Sequence, residues 1–282
     1  MRERLRQVLE QYAKSPNWTP RQEARSPLFW KSIRAEFLGA FLLVIFSCSG
    51  DTYIGPVSYG CLTCVLTYTL RATGVHLNPM VTLAAVFLRS ITPFRFVSFI
   101  LAQSIGTLSG ATVVSLGLSG NESHGTANPT LLVSQAKGFG YEFFATFVII
   151  LATASHLDAT SSSPASSPSS SSSEESMFPL ISGIAVGTAS AFSRAATGGF
   201  LNPVRAFSLA LFQETIWSTH YVYWVGPILG TLLAVFTYDF IRIRPPSSLP
   251  KYSTGNGHLS VVAKHEDEIT QQDTEFTLAT LS

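Results

Sequence analysis

The chain has 282 residues, of which 46% are hydrophobic and only 12% charged, with a formal net charge of +1 and a positive mean hydropathy. A soluble domain carries about 25% charged residues, so the composition points away from one, and a near-neutral balance offers no field for nucleic acid. Three cysteines (Cys48, Cys61, Cys64) lie in apolar stretches, which suits buried thiols rather than a disulfide frame or a metal site; the C-x-x-C of Cys61 and Cys64 lacks the βαβ surroundings of a redox motif.

Residues 1–34 hold eight Arg or Lys and three Glu ahead of the first apolar run. They read as a solvated, basic arm (1–32) rather than a signal peptide. Six stretches then have the character of membrane spans: 33–50, 56–71, 94–117, 138–157, 177–193 and 220–241. Their many Gly, Ser and Thr residues suit helices packed on one another. Two shorter apolar runs, 78–88 and 202–212, have the length of re-entrant half-helices. Residues 118–137 form a connection carrying the sequon Asn121-Glu122-Ser123, a glycosylation candidate. Residues 161–173 contain ten serines and cannot bury enough apolar surface to fold, so a disordered loop (158–176) is expected. Trp217, Tyr221, Tyr223 and Trp224 have the look of an interfacial aromatic belt, and 243–282 reads as a disordered tail.

Basic residues orient the spans. The N-terminal arm, Arg89 and Arg95, and Arg242, Arg244 and Lys251 fall on one side if there are six spans, so both termini are cytoplasmic by the positive-inside rule. The 118–137 connection is then external, and a second sequon at Asn17 is internal and silent.

The two halves repeat. Ala35-Glu36-Phe37-Leu38-Gly39-Ala40-Phe41 opens the first span and Tyr141-Glu142-Phe143-Phe144-Ala145-Thr146-Phe147 the fourth. His76-Leu77-Asn78-Pro79 and Phe200-Leu201-Asn202-Pro203 open the half-helices. Each half (33–117 and 138–242) has an odd number of spans, so the second enters from the opposite face: an inverted repeat, the architecture of channels and transporters.

Asn is a preferred N-cap and Pro a preferred first helical residue. Two such half-helices would meet N-terminus to N-terminus near the midplane, each end carrying about half a positive charge. Facing one pore, they oppose cations and interrupt a proton-conducting file of water while neutral solutes pass. The approach loops supply backbone carbonyls from Gly74, Val75, His76, Gly198, Gly199 and Phe200; the Asn78 and Asn202 amides supply donors. His76 either titrates as a gate or pins its loop. No Ser/His/Asp set, metal-ligand cluster or phosphate loop stands out, so neither an enzyme nor a cofactor is expected.

On these motifs, together with Asn202-Pro203-x-Arg205 and the Gly-Pro of Trp224-Val225-Gly226-Pro227, the chain resembles the aquaporins of the major intrinsic protein family over residues 30–243. The resemblance implies an all-α membrane fold of six transmembrane helices and two re-entrant half-helices, assembled as a homotetramer in the bilayer. It also implies a selectivity filter around Arg205, with Ser190 and Gly199 as partners. The second-span partner is Tyr59 if one residue is deleted in the alignment, Ser58 if none is. Such a ring has one bulky wall, which leaves small neutral solutes (glycerol, urea, hydrogen peroxide) as an alternative cargo to water. Ala206, where glycerol-conducting members place aspartate, favours the water branch. Met80 and Val204 replace the usual alanines after Asn-Pro; they are the only support for a third reading, a poorly conducting junction or scaffold protein. Glu36 and Glu142 are expected as buried struts for the two loops, proton-relay carboxylates being the alternative. A plasma membrane is the expected location, an intracellular vesicle the alternative.

Overall fold

The computed structural model describes residues 19–47, 54–118, 131–162, 172–212 and 217–242; Asn17, Cys48, Asn121, the centre of the serine tract and the tail lie outside the described residues. Its helices are α1 (Pro20–Arg25), α2 (Pro27–Ser47), α3 (Ile54–Thr69), α4 (Pro79–Phe87), α5 (Pro93–Val113), α6 (Gln135–Ser162), α7 (Ser172–Thr197), α8 (Pro203–Ala210) and α9 (Val222–Ile241). No strand occurs among the described residues. Proline stands at the first position of α1, α2, α4, α5 and α8, where its missing N–H leaves no helical bond unmade. Thr19, Asn78, Thr92 and Asn202 cap the ends of α1, α4, α5 and α8 with side-chain oxygens.

Six of these helices are long, and α4 and α8 are the two short apolar ones. Three segments, Pro93–Leu116, Gln135–Asp158 and Trp217–Ile241, are long and apolar enough on their own to cross a membrane. The helix α3 has 16 residues, about 24 Å at 1.5 Å per residue. The helices α2, α6 and α7 start at least three residues ahead of their apolar stretches, whereas α9 lies within its own.

Packing follows the repeat. Within each half the first helix packs on the last (α2 on α5, α6 on α9), and the middle helices α3 and α7 pair across the halves. Glycine permits the approach at both intra-repeat crossings. A Cβ on Gly106 of α5 would stand 2.4 Å from the Phe37 carbonyl oxygen, and one on Gly230 of α9 2.3 Å from that of Phe143. Away from these faces large apolar side chains are exposed at helical spacing, as with Val97, Leu101 and Ile105 on α5 and Leu229, Leu233, Phe236 and Phe240 on α9. That is a lipid-facing pattern.

The structure departs from the sequence reading at several places. The end of the basic arm is folded rather than solvated: α1 is closed by a Thr19–Gln22 capping box, and Glu23, 2% exposed, accepts from Arg95 Nε at 2.7 Å and Thr92 Oγ1 at 2.5 Å. The salt bridge docks α1 on the start of α5, which apolar periodicity had no means of showing. Helix enters the serine tract from both sides, since α6 runs to Ser162 and α7 starts at Ser172. Tyr223 is no belt residue. Its position on α9 turns it inward, 1% exposed, with its hydroxyl donating to the Thr197 carbonyl at 2.8 Å; Trp217 and Tyr221 remain exposed. Cys61 is exposed and Cys64 partly so; Cys64 lies where α3 meets α7, its Cβ 2.7 Å from where a Cβ on Gly183 would stand, beside Gly60.

Candidate functional site at the junction of the half-helices

The helices α4 and α8 touch, and their caps are tied crosswise. Asn78 Nδ2 donates to the Leu201 carbonyl at 2.9 Å, and Asn202 Nδ2 donates to the Leu77 carbonyl at 3.0 Å. At the same time each Oδ1 caps its own helix: Asn78 accepts from Met80 N at 2.9 Å, Asn202 from Arg205 N at 3.3 Å. Asparagine supplies the two from separate atoms, an oxygen that accepts from its own helix and an NH2 that donates to its neighbour. Each amide has a second N–H beyond the one used in the cross-tie.

The two leucines accept these bonds only because they are bent. Leu77 has φ 61° and Leu201 φ 55°, the left-handed region that costs a branched residue about 1–3 kcal/mol. Each bend is held at both ends: the Leu77 N–H donates to Glu36 Oε2 at 2.8 Å and the Leu201 N–H to Glu142 Oε2 at 3.1 Å. Glu36 also accepts from His76 N at 2.5 Å and Gln103 Nε2 at 2.9 Å; Glu142 accepts from Thr197 Oγ1 at 2.6 Å. Both carboxylates are fully buried, where their acceptor-only chemistry matches the loop N–H groups. The His76 ring has Nδ1 3.2 Å from Thr82 Oγ1 and an edge-on contact with Phe99. That is the geometry of a loop pin.

Around Arg205 the structure gathers a compact ring. The guanidinium carbon lies 4.5 Å from the Tyr59 ring centre and 4.6 Å from that of Phe200. Its Nη1 donates to the carbonyls of Gly199 and Phe200, both at 3.3 Å. Of the two second-span candidates, Tyr59 faces Arg205 and sends its hydroxyl toward the Phe200 carbonyl at 3.4 Å, while Ser58 is half-buried off the ring. Ser190 Oγ donates to the Gly199 carbonyl at 3.2 Å. Gly199 has φ +66°, and a Cβ there would meet Ser190 Oγ at 2.7 Å, so no other residue fits. The ring is tightly shut: Tyr59 is 2%, Ser190 1% and Arg205 0% exposed.

The two approach loops differ in what remains of their carbonyls. Those of Gly198, Gly199 and Phe200 all accept side-chain donors, the first from Arg194 Nη1 at 3.3 Å. No side chain among the described residues donates to Gly74, Val75 or His76. Met80 and Val204 follow the two prolines and are buried, at 4% and 3%.

Sequence reasoning passed over several members of the site. The cross-tied Leu77 and Leu201 carbonyls had one available signal, leucine before Asn-Pro in both repeats. Gln103, Thr82, Thr197 and Ser47, which bond the struts, the cap and the arginine, lie outside every motif. No group of three or more metal-binding side chains occurs among the described residues.

Residues 23–238 match the family model described as major intrinsic protein. A protein of Milnesium tardigradum named Aquaporin-6 is 50% identical over 291 residues, covering 100% of this chain and 97% of its own length. Human Aquaporin-1 is 29% identical over 246 residues, covering 80% of this chain and 87% of its own. Among solved structures, the aquaglyceroporin from Plasmodium falciparum superposes with a TM-score of 0.58 at 20% identity, covering 76% of this chain and 96% of that one. This last likeness speaks to the fold.

Proposed function

The chain belongs to the major intrinsic protein family and is a membrane channel rather than an enzyme, and from that premise we propose that it is a passive, osmotically driven water channel. The observation that carries the reading is the crossed pair of asparagine caps. It sets two helix N-termini face to face, each with its partial positive charge. A cation at that junction meets two positive ends. A water molecule there can be oriented by the second N–H of each amide, which breaks a relay of protons along the file.

The carbonyls of Gly74, Val75 and His76 serve as acceptors on the cytoplasmic approach. Arg205, Tyr59, Ser190 and Gly199 form the filter on the outer one. An arginine inside a membrane is expensive and marks a pathway. Passage through this ring requires the Tyr59 side chain to move aside, since its hydroxyl and the Arg205 fork both close on Phe200. Glu36 and Glu142 act as struts, because their hydrogen bonds go to a loop or to its support.

A second reading, conduction of glycerol, urea or hydrogen peroxide, is favoured by the small Ser190 and Gly199 walls. Light scattering by proteoliposomes separates the two. Faster shrinkage under an impermeant osmolyte with no glycerol or urea entry supports the water channel; re-swelling in glycerol or urea supports the facilitator; neither response overturns both and leaves the scaffold reading. Arg205→Ala should raise urea entry about tenfold, since each hydrogen bond of a charged group is worth about 1.5–3 kcal/mol; unchanged selectivity would remove Arg205 from the filter.

Homotetrameric assembly, cytoplasmic termini around a channel domain of 33–242, a plasma-membrane location and glycosylation at Asn121 complete the proposal. Cross-linking, tag accessibility in intact cells and glycosidase digestion test them in turn.

A further inference from the structure

We propose that Ser47, the last residue of α2, is a positioning residue that fixes where the Arg205 guanidinium stands and thereby sets which solutes pass; the inference rests on the reading of Arg205 as a filter residue. Ser47 is 1% exposed. Its Oγ accepts from Arg205 Nε at 2.9 Å, and its carbonyl accepts from Nη2 at 3.2 Å. These two nitrogens form one edge of the guanidinium, so a single residue grips that edge bidentately. The remaining bonds, from Nη1 to Gly199 and Phe200, are longer at 3.3 Å and come from the arginine's own approach loop.

Ser47 therefore makes the hydrogen bonds, among the described residues, between the arginine and the opposite repeat, from which Tyr59 contributes its ring. Arginine has five N–H donors, and four of them are placed by these contacts. The two flanking rings at 4.5 and 4.6 Å hold the plane but leave it free to slide within that plane. The Ser47 hydroxyl opposes the slide. Without it the Nε–H is stranded in a buried ring, and it regains a partner either by a shift of the guanidinium or by taking an oxygen from a permeating solute. Both outcomes favour solutes with more hydrogen-bonding groups than water.

The test uses the full chain in proteoliposomes, with urea and glycerol entry read against water permeability. Ser47→Ala should raise the urea-to-water ratio about tenfold, the change that corresponds to about 1.4 kcal/mol. Ser47→Thr, which keeps the hydroxyl, should restore the wild-type ratio. In an Arg205→Ala background Ser47→Ala should change nothing further, because Ser47 acts through the arginine. An unaltered ratio in Ser47→Ala, or an equal effect with and without Arg205, overturns the inference. Arg205→Ala with wild-type selectivity instead overturns the filter reading beneath it. The same four-variant cycle followed by thermal melting in detergent does not depend on conduction: Ser47→Ala should lower Tm only where Arg205 is present, and an equal drop in both backgrounds also overturns the contact.

Discussion

Both repeats bend the chain at a leucine before Asn-Pro, and both hold the bend by a buried glutamate on one side and the opposite repeat's asparagine on the other. Around that shared clamp the halves part company. In the first, Gln103 donates to Glu36 and Thr82 Oγ1, and the loop carbonyls of Gly74, Val75 and His76 receive no side-chain donor among the described residues. In the second, Tyr223 occupies the corresponding place, three residues before the first glycine of its helix as Gln103 is. It supports the Thr197 carbonyl, and the loop carbonyls are consumed by Arg194, Ser190, Tyr59 and Arg205. The clamp is thus the part that two-fold symmetry protects, because each half completes the other. The mouths diverge: the loop carbonyls of the second are bonded to side chains, and those of the first, among the described residues, are not.

Removing the struts is the harshest test of that symmetry. Glu36→Ala strands three buried donors, on His76, Leu77 and Gln103, at roughly 1–3 kcal/mol each. Glu142→Ala strands the Leu201 and Phe200 N–H groups and a Thr197 hydroxyl that, unlike the Gln103 amide, can also turn to the Ser193 carbonyl at 3.2 Å. Glu36→Ala should therefore lower Tm more than Glu142→Ala does, by about the one donor on Gln103 that finds no other acceptor, in detergent melting. Equal losses would mean that Gln103 contributes nothing to the first clamp.

Charge at the caps comes next. Asn78→Asp and Asn202→Asp each keep the capping oxygen and lose the cross-tie donor. A carboxylate at position 202 has the Arg205 backbone N–H and the adjacent guanidinium to offset it, whereas position 78 has no cation at the corresponding place, Val81 standing where Arg205 does. Sodium flux in liposomes should rise in Asn78→Asp and stay near background in Asn202→Asp. The reverse order would show that the arginine does not neutralise its own cap.

A milder asymmetry lies at Met80 and Val204. Alanine at either position opens space beside the junction, and methionine gives up more volume than valine. Met80→Ala should raise water permeability about twofold, and Val204→Ala less, with pore width as the controlling variable. If neither changes the rate, the two side chains pack away from the pathway.

How much of this was legible in the sequence depended on whether a feature repeats. Asn78 and Asn202, the two glutamates and the two short apolar helices occur at matched places, and a polar signal doubled inside apolar sequence seldom arises by chance. Tyr59 over Ser58 required the register of α3, which an alignment gap left open; in the structure it is Tyr59 whose ring lies 4.5 Å from the Arg205 guanidinium carbon. Ser47, Gln103 and Thr197 are single polar residues on apolar helices, and such residues also occur merely back-bonded to the preceding turn, as Thr63 and Thr67 are. The docking of α1 turned on one ion pair, Glu23 with Arg95, whose partners are 72 residues apart. Periodicity reports which face is buried, not which polar atom finds which.

The smallest effect expected is that of the Tyr59 hydroxyl. Its bond to the Phe200 carbonyl is long, 3.4 Å, and that carbonyl keeps Arg205 Nη1 as a donor, so Tyr59→Phe strands no buried acceptor. A neutral hydrogen bond is worth about 0.5–1.5 kcal/mol and this one sits at the weak end. Since the ring, not the hydroxyl, covers the guanidinium at 4.5 Å, Tyr59→Phe should keep solute selectivity and alter water permeability less than about twofold in stopped-flow shrinkage. Tyr59→Ala removes the ring itself and should admit urea. If Tyr59→Phe alone changes selectivity, the hydroxyl is a contact for the permeating molecule, and the outer mouth reads its cargo with one more polar group than the closed ring displays.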